Sequence, residues 1–465
     1  MTRIVIMGGG PAGYEAALVA VQHGADVTVV ERDGMGGACV LDDCVPSKTF
    51  IASAGVRVEL RRGDELGVHV DRQASPVDLP LVNNRVKHLA LAQSADVRAR
   101  LERAGIRIIR GTSRFAGQTA GAAHIVEAVT DGGTEELPAD VVLVATGATP
   151  RMLDDALPDG ERIVTWRQLY DLQELPEHLI VVGSGVTGAE FCSAYVEMGS
   201  EVTLISSRDR VMPAGDADAS AVLQDVFLDR GVHMMAQARA ESVKRTDDGV
   251  VVTLTDGRTV TGSHALMTVG SIPNTTDIGL ADVGIETDRG GFIPVDRVSR
   301  TSVPGIYAAG DCTGVLMLAS VAAMQGRIAM WHALGEGVAP IKLKTVAAAV
   351  FTRPEIAMVG ISQRAIDTGE VPARTIMLPL STNPRAKMQG LRRGFVKLFC
   401  RPATGVIIGG VIVAPVASEL ILPIAMAVQN GLTVEDLALT FSVYPSLSGS
   451  ITEAARQLMR HGDLD

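Results

Sequence analysis

Cys39 and Cys44, separated by four residues, stand in the run Gly36-Gly37-Ala38-Cys39-Val40-Leu41-Asp42-Asp43-Cys44-Val45-Pro46-Ser47-Lys48. Two thiols this close in sequence can close a small disulfide loop where their side chains converge, and such a loop is easily reduced and re-formed. Pro46 suits the first turn of a helix, so a helix start near Val45 is expected, with Cys44 at its N-terminus where the dipole favours a thiolate. Cys44 is therefore expected to be the better holder of charge. A half zinc site or two unrelated buried thiols are the other readings of the spacing. No second cysteine pair or histidine cluster completes a metal site, and no metal is expected.

The composition narrows the classes of function. A chain of 465 residues has room for two to four domains. Its 42 basic and 53 acidic residues give a net charge of -11, which argues against nucleic acid or an anionic membrane as partner. The other cysteines, Cys192, Cys312 and Cys400, are scattered and make the total odd, unlike a secreted disulfide scaffold. Residues 2–7 already read as a strand with no signal-peptide pattern, so a soluble cytoplasmic protein is expected. Residues 406–428 are apolar enough to suggest a membrane span, but Gly409, Gly410, Pro415, Glu419 and Pro423 interrupt them. Strand, turn and helix are expected there, with no membrane span.

The elements that must position the cysteines begin with the β-rich run Arg3-Ile4-Val5-Ile6-Met7, which leads into Gly8-Gly9-Gly10-Pro11-Ala12-Gly13. A helix over 16–21 and a strand over 25–30 follow, and Glu31 lies eighteen residues beyond Gly13. In this strand-turn-helix-strand setting the glycines admit a pyrophosphate to a helix N-terminus, and Glu31 can bind a ribose hydroxyl. Residues 51–104 read as helical with a looser polar patch near 62–79, and strands are expected over 106–109, 123–129 and 141–145. The last ends in Ala145-Thr146-Gly147, at the edge where an open α/β sheet meets its ligand.

The pattern then repeats. Leu179-Ile180-Val181-Val182 precedes Gly183-Ser184-Gly185-Val186-Thr187-Gly188, and a strand over 202–205 follows the second helix. Two such units imply two dinucleotides. Eighteen residues beyond Gly188 stands Ser206 rather than an acid, and Ser206-Ser207-Arg208 offers Arg208 to a 2'-phosphate. NADPH is at least tolerated on this reading, alongside or instead of NADH; an ordinary surface arginine is the alternative. Gly270 opens a turn-rich return from an inserted domain. A buried strand then ends in Gly310-Asp311, and Asp311 either binds the polyol or phosphate region of a cofactor or caps the next helix. From about Ile341 the pattern becomes α+β with no third nucleotide motif, as expected of a protein-binding unit. The fold expected is α/β, with two Rossmann-like dinucleotide-binding domains (1–150 with 271–340, and 151–270) and a C-terminal α+β dimerisation domain (341–465).

Together these residues resemble the pyridine nucleotide-disulfide oxidoreductases, the flavoproteins that include lipoamide dehydrogenase, glutathione reductase and mercuric reductase. The resemblance covers essentially the whole chain, through Glu31 and its glycines, 39–48, 145–147, 183–190, Pro273-Asn274, 308–311 and 351–357. It implies FAD bound by Gly8, Gly10, Pro11, Ala12, Gly13, Glu31 and Arg32. Gly37, Ala38, Cys39, Cys44 and Lys48 would border the same cofactor, as would Ala145, Thr146, Gly147, Gly310, Asp311, Leu318 and Ala319. A nicotinamide cofactor would lie against Gly183, Gly185, Val186, Gly188 and Glu190, with Ser207, Arg208 and Gly270. The resemblance also implies a homodimer, or a higher oligomer. In the family the cysteine matching Cys39 exchanges with substrate and that matching Cys44 lies against the flavin. Lys48 and Glu190 match the pair beside the flavin ring near the nicotinamide.

One segment departs from the pattern. Disulfide-reducing members carry a stretch like His-x-His-Pro-Thr-x-x-Glu, whose second His is the acid/base for the partner subunit's exchange cysteine. Here it reads Ser442-Val443-Tyr444-Pro445-Ser446-Leu447-Ser448-Gly449, with Tyr444 for the His and Gly449 for the Glu. The one His after His332 is His461, near the terminus. A positioned acid/base contributes roughly a hundred- to ten-thousand-fold, and a phenol, titrating near ~10, is a donor at neutral pH and not a base. The extra C-terminal cysteine pair of mercuric and large thioredoxin reductases is also missing, since only Cys400 lies there. The expectation is an FAD-dependent NAD(P)H dehydrogenase that reduces a small diffusible acceptor, a quinone, with Tyr444 or Lys48 bonding a carbonyl oxygen. It should be a poor lipoamide or glutathione reductase. The alternatives are a soluble pyridine nucleotide transhydrogenase, a residual dihydrolipoamide dehydrogenase and an idle flavoprotein binding subunit.

Overall fold

The computed structural model describes residues 1–69, 76–118 and 124–459. Short runs of β-branched and aliphatic residues, too uniformly apolar for a half-exposed sheet, form parallel sheets covered on both faces. The first sheet has the order Ile306–Ala308, Val141–Val144, Arg3–Met7, Asp26–Glu31, Arg107–Arg110. All its neighbours run parallel, with Ile6 opposite Val29 on one side and Leu143 on the other. The second repeats the plan in the order His233–Met235, Glu201–Ile205, His178–Val182, His264–Met267, Ile163–Thr165. Its strand Ile163–Thr165 also runs parallel. An antiparallel three-stranded sheet accompanies each: Thr112–Gln118, His124–Thr130 and Gly133–Ala139 in the first, and Ala240–Arg245, Val250–Leu254 and Thr259–Gly262 in the second. Where the chain crosses from one unit to the other and back, Ala148–Pro150 pairs antiparallel with Ser271–Pro273.

The C-terminal part is a five-stranded antiparallel sheet in the order Ala347–Val350, Glu355–Gly360, Ile407–Ala414, Phe395–Cys400, Arg374–Pro379. Every residue of Ile407–Ala414 is buried, and the helices Ala417–Leu420 and Leu422–Asn430 follow. The apolar 406–428 is thus strand, turn and helix, as its glycines and prolines require. Among the described residues no helix is long and apolar enough to cross a membrane.

Around the cysteines the local structure is finer than the sequence pattern. Cys39 has a short helix of its own, Gly37–Leu41, and the long helix Cys44–Arg62 begins one residue before the expected start. The expected helical stretch 51–104 divides into Cys44–Arg62 and Leu79–Arg103, and the latter is capped by Asp78, which accepts from Leu81 N at 2.9 Å. Part of the polar patch 62–79, residue 123 and His461 lie outside the described residues.

One apolar cluster runs through all three parts of the chain, joining Phe50 and Ala54, Phe191 and Tyr195, and Val350 and Ile356. Lys397 adds a polar clamp. Its side chain is 1 % exposed, on the strand Phe395–Cys400, and its Nζ donates to both oxygens of Asp216 (3.0 and 2.8 Å) and to Asp218 (2.5 Å). Asp216 also caps the helix Ala217–Asp229 of the second nucleotide unit through Ala219 N. Removing one partner of a buried ion pair strands the other, at a cost of about 3–5 kcal/mol. Lys397→Ala is therefore expected to lower the thermal unfolding midpoint by several degrees, and a midpoint unchanged within 1–2 degrees (about the error of a melt) would refute the clamp.

Candidate active site

A cleft of about 630 Å³ opens at the carboxyl edge of the first parallel sheet. Its floor is the turn after the first strand. A side chain at Gly8 would put a Cβ 2.3 Å from the Ala145 carbonyl oxygen, in a backbone with φ +111°, and one at Gly13 would sit 1.9 Å from Gly8 O. Gly13 thus serves by close packing inside the helix Pro11–Gln22, outside the cleft lining. A Cβ at Gly10 meets nothing within 4 Å, and Gly10 begins that helix with no side-chain cap. Uncapped amides over open space suit a pyrophosphate.

Glu31 borders the same space. Its Oε2 accepts from Gly9 N at 2.6 Å and its Oε1 from Asp33 N at 2.7 Å, so backbone amides fix the carboxylate where it faces the cleft. Arg32 pairs with Asp33 at 3.0 Å. Gly37, Ala38, Cys39 and Cys44 form one wall, and Ala145, Thr146 and Gly147 another. Thr146 Oγ1 is buried without a partner, a polar atom left for something in the cleft. Gly310, Asp311 and Ala319 close the far side. Asp311 does not cap the following helix, whose cap is Leu318. Burial, with the nearby Asp43, pushes the Asp311 carboxyl up to about 6. An extended cleft with phosphate-binding amides at the turn, a ribose acid and a buried unpartnered hydroxyl fits FAD.

Lys48 and Glu190 stand behind the cysteines. Lys48 Nζ lies 2.9 Å from Glu190 Oε2 and 4.9 Å from the centre of the Phe351 ring, while Glu190 Oε1 accepts from Phe351 N at 2.9 Å. Burial alone would lower the Lys48 ammonium; Glu190 reverses that and holds it above its usual value. The two cysteines are free and half-buried. Hydrogen bonding between the thiols lowers Cys39; Cys44 is raised by that bond, by burial and by Asp43. Both shifts run against the expectation that Cys44 is the better holder of charge, and the contact between the two thiols is the largest cause of each.

The second nucleotide turn copies the first. A Cβ at Gly183 would lie 2.4 Å from Thr268 O and one at Gly188 1.9 Å from Gly183 O, while Gly185 faces open space at the uncapped start of the helix Val186–Met198. Val186 is exposed there, and Thr187 reaches the first cleft. Where the first unit has Glu31, the buried Ser206 hydroxyl bonds Ser184 Oγ at 2.7 Å and takes Arg208 N at 3.1 Å. That turn presents Ser207 and Arg208 to solvent, and the Arg208 guanidinium makes no ion pair among the described residues. Gly270 lies beyond the strand His264–Met267, its carbonyl taken by Arg151 N. Tyr444 stands apart from all of these. It is 81 % exposed, beside the exposed Val443 and Phe441.

The sequence reading passed over Asp43, Trp166, Arg167 and Phe351. Phe351 sits in a segment noted for its family likeness, but its amide bond to Glu190 carries no sequence signal. Arg167 pairs with Asp42 at 3.4 Å, a contact between residues 125 apart in the chain that no local pattern announces.

Two dinucleotide folds, joined so that the second helix N-terminus reaches the cofactor cleft of the first, define a flavin- and nicotinamide-linked oxidoreductase. The chain belongs to the pyridine nucleotide-disulphide oxidoreductase family, whose profile matches residues 2–326, with its dimerisation domain over 346–455. It is 65% identical over 470 residues to a Mycobacterium tuberculosis NAD(P)H dehydrogenase (quinone), covering 100% of this chain and 95% of that one. It is 32% identical to dihydrolipoyl dehydrogenase 2 of Haloarcula marismortui, over 98% of this chain and 96% of the relative. Among solved structures, that of LpdA from Mycobacterium tuberculosis matches with a TM-score of 0.95 at 64% identity, over 99% of this chain and 100% of that one. The Escherichia coli flavoprotein disulfide reductase RclA shares the fold, with a TM-score of 0.86 at 23% identity over 99% of this chain and 100% of that one.

Asp311 yields a test with two signs. Its folded value of about 6 lies above the unfolded carboxylate value, so the fold binds this proton more tightly than the open chain does. Stability from this group is present at pH 4 and is lost as pH rises towards 6 and beyond. Asp311→Asn is expected to stabilise the FAD-free protein by about 2 kcal/mol at pH 7 and not at pH 4. FAD retention on dialysis should fall by about ten-fold or more as a charged acceptor is lost. Thermal melts at the two pH values and flavin absorbance check both; a variant less stable at pH 7 would refute the assignment.

Proposed function

We propose that the protein is an FAD-dependent NAD(P)H dehydrogenase that hands its electrons to a quinone. Residues 1–150 with 271–340 would hold FAD, 151–270 the nicotinamide cofactor, and 341–465 would pair two copies into a homodimer. The observation that carries this reading is the contrast between two sites. Lys48, Glu190 and Phe351 N form a hydrogen-bonded group beside the cleft, while the place of the exchange acid/base is taken by an exposed tyrosine followed by Pro445 and, four residues later, Gly449. The 65% identical relative bears the name NAD(P)H dehydrogenase (quinone), which agrees with it.

The cleft lined by Gly8, Gly10, Thr146 and Asp311 would hold FAD, which when bound would supply hydride and two-electron chemistry. The protein's part is electrostatic and positional. Backbone amides at Gly10 and Gly185 offer the two pyrophosphates helix N-termini. Glu190, 3 % exposed, fixes the Lys48 ammonium, which favours negative charge developing at the cleft and can donate to a quinone carbonyl. No residue in this route has to shuttle a proton between sulfurs. The Cys39 and Cys44 thiols are then bystanders to quinone reduction.

Arg208 supports NADPH as a donor, since an unpaired guanidinium on an exposed turn can take a 2'-phosphate. Arg208→Ala is expected to raise KM for NADPH by about ten-fold or more, with KM for NADH within about three-fold, in steady-state assays with a benzoquinone. Equal effects on both would remove the 2'-phosphate role. Saturable NAD(P)H-dependent reduction of a benzoquinone that survives in Cys39→Ser and Cys44→Ser tests the central reading. Lipoamide turnover should lie at least about a hundred-fold lower. Negligible turnover with every quinone tried, or lipoamide rates that match, would sink it.

A further inference from the structure

Trp166 and Arg167 follow the strand Ile163–Thr165 of the second nucleotide unit, yet both line the cleft of the first. The segment they open is firmly docked. Gln168 Oε1 accepts from Thr165 N at 2.9 Å and closes the turn, while Leu169, Tyr170 and Leu172 are buried. Two residues of the helix Leu79–Arg103 hold it from the first unit: Asn83 Nδ2 donates to Leu172 O at 2.8 Å, and Lys87 Nζ to Asp171 Oδ1 at 2.6 Å. Arg167 is thus carried to the cleft from another unit. Its guanidinium carbon lies 5.3 Å from the centre of the Trp166 ring, and its Nε lies 3.4 Å from Asp42 Oδ2. That ion pair is loose: the Nε is buried and has no hydrogen-bond partner among the described residues.

The charges around the cleft give this donor a task. Among the residues that line it, the acids Glu31, Asp33, Asp43, Asp277 and Asp311 outnumber the cations Arg32 and Arg167. Arg32 is already committed, with its Nε at 3.1 Å and its Nη2 at 3.0 Å from the oxygens of Asp33. Arg167 is the cation of the lining that keeps an unmade donor, and a buried donor in a folded protein ordinarily has a partner. The charge of FAD lies on its diphosphate. An anion that enters an acidic cleft needs a counter-charge, and a guanidinium, with its planar fork of donors, is suited to phosphate oxygens.

We propose that Arg167 is a cofactor-binding residue supplied by the second unit: its guanidinium pairs with the diphosphate of FAD and offsets the acids of the cleft. The inference rests on the reading of this cleft as the FAD site and not on the quinone. Trp166, 9 % exposed, limits where the guanidinium can go, and Asp42 competes for it when the cofactor leaves. FAD is then held by both nucleotide units, and its retention reports how well they are docked.

The test is release of FAD from the purified holoenzyme, followed as the rise in flavin fluorescence after dilution at about 50 mM and about 500 mM potassium chloride. At the lower salt Arg167→Ala is expected to release FAD about ten-fold or more faster than the wild type, and the gap should narrow at the higher salt. Arg167→Lys should fall between them, since it keeps the charge and loses the fork. Arg167→Gln carries the same expectation as Arg167→Ala should that variant not fold. Asp42→Asn should hold FAD at least as long as the wild type, because it releases the guanidinium and removes a negative charge. Release from Arg167→Ala within about two-fold of the wild type at both salts overturns the proposal. So does an Asp42→Asn variant that loses FAD as fast as Arg167→Ala, which would make the pair a strap between units and not a cofactor contact. A wild type that takes up no FAD overturns the reading of the cleft itself, and this inference with it. A wild type that holds FAD beside an Arg167→Ala variant that holds it equally well overturns this inference alone.

Discussion

The carboxylate of Glu190 is the contact on which the rest depends. It projects from the helix Val186–Met198 and is bonded on one oxygen by Lys48, from the helix after the cysteines, and on the other by the amide of Phe351, at the start of the C-terminal sheet. A carboxylate this deeply buried is tolerable only with such partners. The three parts of the chain must therefore sit as they do for the charge to be satisfied. One turn further along the same face, Ser193 Oγ takes Arg353 N at 3.1 Å and Arg353 reaches Glu59 at 3.2 Å. Gly55 leaves room for this crossing, since a Cβ there would fall 2.0 Å from the Arg353 guanidinium. Polar groups thus set the register between units, and the aromatic cluster of Phe50, Tyr170, Phe191 and Tyr195 supplies the apolar burial beneath them.

The two nucleotide units show how one backbone plan accepts different ends. Both turns have the same forbidden Cβ positions, at Gly8 and Gly13 and at Gly183 and Gly188. The close packing of strand, turn and helix is thus a fixed requirement of the geometry and not of the ligand. The two turns differ where that packing stops. Glu31 is braced by amides and still faces its cleft, whereas Ser206 turns inward to Ser184 and yields the surface to Ser207 and Arg208. A hydroxyl that closes its own turn removes the negative charge that a 2'-phosphate would meet.

Much of this was legible in the sequence, for a physical reason. Strand runs such as 179–182, glycine turns and the eighteen-residue interval to Glu31 or Ser206 are local, and local rules govern them. The apolar stretch 406–428 folds as the strand, turn and helices that Gly409, Gly410, Pro415 and Pro423 favour over one continuous helix. Contacts across the chain were not legible: Phe351 N on Glu190, Arg167 on Asp42 and Lys397 on Asp216 depend on how separate units dock. The surroundings of the cysteines were not legible for a related reason: a helix N-terminus argues for charge on Cys44, but the burial of its thiol and its contact with Cys39 depend on how the two helices meet.

On the proposed reading, Tyr444 would remove one half of a flavoprotein's chemistry and spare the other because the halves need different kinds of group. Taking a hydride requires fixed dipoles and a permanently charged Lys48, supplied within one chain by contacts that also hold its parts together. Dithiol exchange requires a base that titrates near neutral pH and is presented at the sulfurs. A phenol has its ordinary reference value near ~10, far from that range. The second falls, on the proposed reading, to the exposed strip Phe441, Val443 and Tyr444. The first set cannot be lost without loosening the fold. The second can change at small cost to the chain that carries it, and on the proposed reading that asymmetry favours small acceptors.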